Sequence, residues 1–513
     1  MPRPNRRCRD RRAERLLRVE CFVLASMLTV GCGFDPRWPQ SAAERRSDGE
    51  DVVVAYALDG AKQPNYFQRQ RGGRVVEVSF DLDGDGKPDE TVDRTQDDRS
   101  WPHCLLVLDG ATFDVVQAMW NDGHFRLFPR PSRLISVFPA MTDLAMTRMF
   151  GAPICSGPEA LYFDRAANRM RGGNLSYLAG DNAPWLRFVN YHAPQSIGAK
   201  AYLDPQAVFD EEMNGAMRAF RAARSGLVSA YSIGASGLGT RGGPKAMRAY
   251  MLTVERLCER LVYERRGRVR ITLTSDHGHN LQHCQRVNFR RTLETAGFRQ
   301  SNRLSDDRDV VCPAYGLVTF AAMFTRQPAR LAEAMVNDPA VDLVAYRDGE
   351  AVVVLAPDAA ARISRTNEGR FRYEPSSGDP LRLMPIIMEL RRSGQVTVCN
   401  EIDDRAMFEA SAEHLYPDPL HRLWECFDNL MHHPPDVALS LKDEFCHGSW
   451  LFEIGIGKVA STHGSLNLKS SSAFVLSDIE PLPNAIRMAD LLATLERTRA
   501  APARGAAARA LTR

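Results

Sequence analysis

No CxxC pair occurs in the 513 residues, and the cysteines beyond residue 32 (Cys104, Cys155, Cys258, Cys284, Cys312, Cys399, Cys426 and Cys446) are scattered. That spacing excludes a zinc ribbon and leaves any disulfide pairing open. The net charge is only +3, from 66 Lys and Arg against 63 Asp and Glu. Part of the basic excess lies in the termini, so charge gives no footing for nucleic-acid binding. There is no internal repeat. No segment beyond the first thirty residues is apolar for long enough to cross a bilayer. What remains is ordinary globular composition, 44% hydrophobic and 25% charged. It suits one large domain with insertions, or two to three domains.

The N-terminus reads as a targeting segment. Residues 1–20 are Arg-rich, Cys21 to Val30 form a short apolar run, and Gly31-Cys32 ends it. This resembles a bacterial lipoprotein signal, cleaved before Cys32 with lipid on its sulfur, although Thr29 stands where Leu is usual. An uncleaved anchor or a misassigned start codon would read the same way. The expectation is an exported bacterial protein, lipid-anchored on the periplasmic or extracellular face of the cell envelope. Residues 1–32 would be the signal and 33–50 a polar tether.

Along the chain, apolar runs end in polar residues. Cys104-Leu105-Leu106-Val107-Leu108 ends in Asp109-Gly110, and Leu134-Ile135-Ser136-Val137-Phe138-Pro139 precedes a helix-like segment from Thr142. Leu227 to Ser232 is a third run, followed by an amphipathic helix over about residues 245–265. Val269 to Leu273 is the fourth, ending in Thr274-Ser275-Asp276-His277-Gly278. Continuous apolar strands alternating with helices predict an α/β fold with a mainly parallel central sheet flanked by helices. Ligands of such sheets bind beyond the carboxyl ends of the strands. Asp109, Thr142 and Asp276-His277 all fall there. An adjacent carboxylate and imidazole on a rigid strand end suits a divalent metal.

Four pieces in order, Leu108-Asp109-Gly110, Phe138-Pro139-Ala140-Met141-Thr142, Ser275-Asp276-His277-Gly278 and Thr462-His463-Gly464, resemble the alkaline phosphatase superfamily, in its type I phosphodiesterase and nucleotide pyrophosphatase branch. The resemblance covers about residues 100–300 and 445–480. It implies a phosphohydrolase or phosphotransferase acting on phosphate esters, with Thr142 as nucleophile through a phospho-enzyme. Asp109, Thr142, Asp276 and His277 would hold the metal, Zn²⁺ or Mn²⁺, and His463 would serve a second one. No Cys-x-Pro-x-Arg or Ser-x-Pro-x-Arg motif lies near residue 142, which disfavours a sulfatase.

One segment departs from that family. Its strand-end loop carries an Asp and a His four residues apart, where this chain has Ser236 and Thr240 in a Gly- and Pro-containing stretch. Neutral hydroxyls replace a carboxylate and an imidazole poorly on Zn²⁺, so the second metal position reads as degenerate. The surviving set resembles the single-metal sites of lipoteichoic acid synthases and phosphoethanolamine transferases, with His463 free to bind phosphate or act as an acid. The alternatives are an inactive member acting as a binding protein, and repair of the lost site by His279 and His283.

A second motif, Asp81-Leu82-Asp83-Gly84-Asp85-Gly86-Lys87-Pro88-Asp89, places carboxylates at positions 1, 3, 5 and 9 and Gly at 6 of a calcium loop. The Lys87 carbonyl would be the position-7 ligand, and position 12 is Val92 instead of an acid. The preceding Val75 to Phe80 alternates like a strand, as in extracellular Ca²⁺ modules. The organisation expected is therefore an N-terminal segment 51–103 with the calcium-type loop, a catalytic core over 104–299 and 446–498, an inserted cap 300–445, and a disordered tail 499–513.

Overall fold

The computed structural model describes residues 34–39 and 41–500. Cys32, the leader and residues 501–513 lie outside the described residues. The chain opens with β1 (Glu44–Asp48), β2 (Asp51–Tyr56), β3 (Tyr66–Arg71), β4 (Arg74–Phe80) and β5 (Glu90–Asp93), which pair in that order as an antiparallel sheet. β1 falls within the stretch read as a tether. The Asp-rich loop joins β4 to β5, so its context is strand–loop–strand. The buried Arg94 guanidinium fastens the end of this sheet to the core. It donates to the Gly267 and Val269 carbonyls, at 2.5 and 2.7 Å, and to the Asp478 carboxylate.

The core then builds β6 (His103–Leu108), α1 (Phe113–Asn121), β7 (Ser132–Ile135), α2 (Thr142–Phe150), α3 (Pro205–Ala222), β8 (Leu227–Ser232), α4 (Gly234–Glu264) and β9 (Arg270–Thr274). Every residue of β6, β7 and β9 is buried. β6 carries the unbroken apolar run Cys104–Leu108, whereas β7 and β9 also bury the polar Ser132, Arg133, Arg270, Thr272 and Thr274. The region expected to be a cap contains β10 (Phe320–Met323), β11 (Val341–Asp348), β12 (Ala351–Ala356), β13 (Ala359–Arg365), β14 (Phe371–Ser377) and β15 (Val437–Leu441), in the order β10-β15-β11-β12-β13-β14. One apolar core joins it to the central layer. Leu105, Phe138, Leu144 and Met146 belong to the same buried cluster as Phe320, Phe324, Leu343 and Val352.

The chain returns to the central sheet through β16 (Ser472–Ser477) and β17 (Ala485–Arg487), giving the order β8-β6-β9-β16-β7-β17. The fold is α/β as expected, but the central sheet is mixed and not simply parallel. β8 and β9 pair parallel with β6, and β17 pairs parallel with β7, whereas β16 runs antiparallel to both β9 and β7. This direction has a consequence for the site. β6, β7, β8 and β9 all end at one edge, and β16 begins there. The segment preceding β16, which carries His463, therefore arrives at the same edge as Asp109, Thr142 and Asp276-His277.

Candidate active site and metal centre

Glycines allow the strand ends to converge. Gly110, at φ 69°, turns the chain after Asp109, and its N–H donates to Asp276 Oδ1 at 3.0 Å. Gly278 lies so close to the start of β16 that a Cβ there would stand 2.1 Å from the Lys469 carbonyl oxygen. Only a residue without a side chain fits that approach.

Around this junction the structure brings together Asp109, Thr142, Asp276, His277 and His463. Thr142 is the first residue of α2 and is half-buried. Its Oγ1 lies 3.4 Å from Asp109 Oδ2 and 3.2 Å from His277 Nε2. His277 Nε2 is 3.7 Å from Asp109 Oδ1 and 3.3 Å from Asp276 Oδ2. The other ring nitrogen, Nδ1, lies 3.1 Å from the Gly278 carbonyl, to which it can only donate. That bond fixes the tautomer and leaves the Nε2 lone pair aimed at the carboxylates.

The donor set fits a divalent cation. Ligand atoms of Asp109, Asp276 and His277 lie within 4.8 Å of one another. Asp109 Oδ1 and Asp276 Oδ2 are both buried without a hydrogen-bond partner, which is costly for carboxylate oxygens unless a cation meets them. The electrostatics agree. Burial, and then the neighbouring Asp276, push the Asp109 carboxyl well above its ordinary range, against hydrogen bonds from Tyr231, Ser236 and Thr142. Burial also raises Asp276 and lowers His277 to about 3. Two carboxylates and a neutral imidazole this close favour a bound positive charge.

His463 joins the group from the segment before β16. Its Nδ1 donates to the Ala140 carbonyl at 2.8 Å, and its ring stacks on His277 with centroids 3.8 Å apart. Burial, then His277, lowers it to about 3.

The stretch read as a loop with two degenerate positions is instead the start of α4. Ser236 and Thr240 lie on adjoining helical turns, and both are buried. Ser236 Oγ is 3.4 Å from the Tyr202 hydroxyl. Glu212 of α3 fixes this helix start. Its carboxylate accepts from the Ser232 hydroxyl at 2.6 Å and from the Ile233 and Gly234 N–H groups at 3.1 and 2.9 Å. Of the two additional histidines, His279 lies in the cluster with His277 and His463, while His283 bonds the Val459 carbonyl through Nδ1 at 2.9 Å.

Sequence reasoning missed two residues of the site. The Tyr231 hydroxyl donates to Asp109 Oδ2 at 2.6 Å, and the ring rests edge-on against Trp185, with centroids 4.8 Å apart. Asp143, beside Thr142, accepts from Trp185 Nε1 at 2.9 Å and Asn182 Nδ2 at 3.0 Å. The available signal was the position of Tyr231 near the carboxyl end of β8.

In the Asp-rich loop, Asp81, Asp83 and Asp89 gather, and Asp85 is not among them. Asp81 accepts from the Gly84 and Gly86 N–H groups at 2.7 and 2.8 Å, Asp89 from Leu82 at 2.7 Å, and Asp85 from Lys87 at 2.8 Å. Val92 is buried in β5 and faces the core. Among the described residues all eight cysteines are free, and no helix is long and apolar enough to cross a membrane.

Fold and site together define a mixed α/β protein with a buried, metal-competent cluster and the Thr142 hydroxyl beside it at one sheet edge. No family model matches the chain, and no curated protein matches its sequence. Solved structures with a similar arrangement include phosphonoacetate hydrolase from Sinorhizobium meliloti 1021, at 11% identity and TM-score 0.42, over 83% of this chain and 99% of that one. Human ectonucleotide pyrophosphatase/phosphodiesterase 5 is similar at 11% identity and TM-score 0.42, over 78% and 95%. Its murine counterpart, in complex with AMP, stands at 10% identity and TM-score 0.40, over 78% and 95%.

Proposed function

We propose that this chain is a metal-dependent phosphohydrolase or phosphotransferase acting on phosphate esters through Thr142, of the alkaline phosphatase superfamily kind. The observation that carries the reading is the position of Thr142 Oγ1, at the start of α2 and within 3.4 Å of both Asp109 and His277. Asp109, Asp276, His277 and Thr142 would hold a Zn²⁺ or Mn²⁺ ion. Bound there, the ion would neutralise phosphate charge and acidify the hydroxyl.

The chain's own residues do the rest. Thr142 Oγ1 attacks phosphorus, and its proton has an acceptor in Asp109 Oδ2. The Oγ1–P bond forms as the ester P–O bond breaks, and the leaving oxygen departs with its electron pair and takes a proton. Water, or an acceptor alcohol, then attacks phosphorus and releases Thr142. The first amides of α2 favour the anionic phosphate beside the nucleophile. Tyr231 holds Asp109 in place.

The test is turnover of p-nitrophenyl phosphate and its bis-ester by the full chain loaded with Zn²⁺ or Mn²⁺, with a search for phosphoryl-Thr142 after acid quenching. Turnover with label on Thr142 supports the enzyme. No turnover with any metal and no label would leave a binding protein on the same fold.

Two further parts of the reading have their own tests. Export with lipid on Cys32 is checked by incorporation of labelled fatty acid, lost in Cys32→Ala. A structural Ca²⁺ at Asp81, Asp83, Asp85, the Lys87 carbonyl and Asp89 is checked by calorimetry on the whole protein.

A further inference from the structure

The loop that delivers Asp276 and His277 carries a second imidazole that the Thr142 chemistry leaves unused. His279 is wholly buried. Its ring lies 6.0 Å from that of His277 and 5.4 Å from that of His463, tilted by only 18° and 24°. Nδ1 is 3.1 Å from Ser461 Oγ, and Nε2 is buried with no hydrogen-bond partner. An unmet nitrogen at that depth is costly unless something fills the position.

The surroundings are shaped to admit this ring. A Cβ on Gly110 would stand 2.3 Å from His279 Nε2, and one on Gly239 would touch Cε1 at 3.6 Å. Gly239 lies between Ser236 and Thr240 in the first turns of α4. His279 therefore rests against the helical turns whose hydroxyls stand where the resembled family has an Asp and a His. His463 spends Nδ1 on the Ala140 carbonyl, which leaves the Nε2 lone pair free. One ligand atom each from His277, His279 and His463 lies within 4.8 Å of the others.

The geometry points to a second cation position in which His279 and His463 are ligands, beside the first cation at Asp109, Asp276 and His277. The inference rests on the proposed reading of that first position. The ligation missing at residues 236 and 240 is supplied from a different strand end. Imidazole donors select a borderline ion such as Zn²⁺, Co²⁺ or Ni²⁺ over Mg²⁺ or Ca²⁺. Two protein nitrogens leave the remaining coordination positions open to water or a substrate phosphate oxygen. Binding selects the His279 tautomer with the proton on Nδ1, donated to Ser461 Oγ, which also accepts the Leu281 N–H at 3.2 Å.

The experiment is Co²⁺ stoichiometry on the full chain. The protein is stripped with chelator, reloaded with Co²⁺, freed of excess metal, and read by elemental analysis and visible absorption. The expected result is two Co²⁺ per chain for wild type and for His283→Ala, and one for His279→Leu. His279→Cys should keep two and gain a thiolate-to-Co²⁺ charge-transfer band. One Co²⁺ in the wild type, or two in His279→Leu, overturns the second position and leaves the first intact. None in the wild type overturns both readings. If His279→Leu does not fold by circular dichroism, the wild type and His279→Cys decide, and absence of the new band overturns the proposal.

Discussion

Thr142 Oγ1 lies 3.2 Å from His277 Nε2, though the two residues are 135 positions apart in the chain. The contact exists because β6, β7 and β9 leave the same edge of one sheet, and because the Gly278 carbonyl takes the other imidazole nitrogen. The hydroxyl proposed as nucleophile and the nitrogen proposed as metal ligand are thus held side by side by the fold itself.

If Thr142 forms the phospho-enzyme, removing its oxygen removes the chemical step. Thr142→Ala is expected to lower kcat on p-nitrophenyl phosphate by at least ~10³-fold, as loss of a covalent nucleophile does. Thr142→Ser keeps the hydroxyl and should stay within about tenfold of wild type. Steady-state kinetics at saturating metal checks both.

Tyr231 acts through Asp109. Tyr231→Phe removes the donor 2.6 Å from Asp109 Oδ2 but keeps the ring against Trp185. Metal affinity should fall about 10–100-fold, as when a partner of a ligand is lost, with little change in melting temperature of the metal-free protein. Competition with a chromophoric chelator measures the affinity.

Glu212 makes stability depend on pH in a direction that can be worked out. Burial raises its carboxyl to about 7, against hydrogen bonds from Ser232, Gly234 and Ile233. The folded state then holds a proton that the unfolded chain releases near its ordinary value of 4.5. This contribution is complete below the unfolded value and is lost as pH rises through the folded one. The stability of wild type minus that of Glu212→Gln should therefore fall by up to about 3 kcal/mol between pH 4.5 and pH 8. Urea unfolding across that range checks it.

Arg422 fastens the cap region to the loop ahead of Thr142. Its guanidinium is buried and donates to the carbonyls of Pro417, Leu466 and Val137, at 2.9, 3.3 and 2.9 Å. Arg422→Met leaves those oxygens unmet and should cost about 3 kcal/mol or more. Denaturant titration measures the loss. Because Val137 immediately precedes the Phe138–Thr142 segment, turnover should fall as well.

Several elements of the fold were legible from side chains alone. The run Leu227–Ser232 is the strand observed, and the runs at 104–108 and 269–273 each lie within a residue of theirs. β6 and β9 lie inside the sheet and are buried throughout, as a strand covered on both faces requires, whereas β8 is the edge strand, with Leu227 exposed and Ser229–Ser232 buried. The helix expected over about 245–265 is present, following a kink at Gly243 (φ 60°) and Pro244, and a separate helical stretch from Gly234 precedes that kink. Glycines hid that preceding stretch, and Glu212, from another helix, meets the amides at its start. Strand direction left no trace in the apolar pattern, and the strand that makes the sheet mixed, β16, is not among the runs singled out in the sequence.

The sequence by itself determined the chemistry available at each strand end: a carboxylate at Asp109, a hydroxyl at Thr142, a carboxylate and an imidazole at Asp276-His277, and an imidazole at His463. These are local properties, set by which polar residue follows an apolar run. Only the tertiary structure decided which of them share a site. The antiparallel direction of β16 brings His463 against His277, the pairing of β8 with β6 places Tyr231 on Asp109, and the close approach at Gly110 lets His279 face its neighbours instead of solvent. Each of these depends on how segments far apart in the chain pack, and a pattern of neighbouring residues carries no record of that.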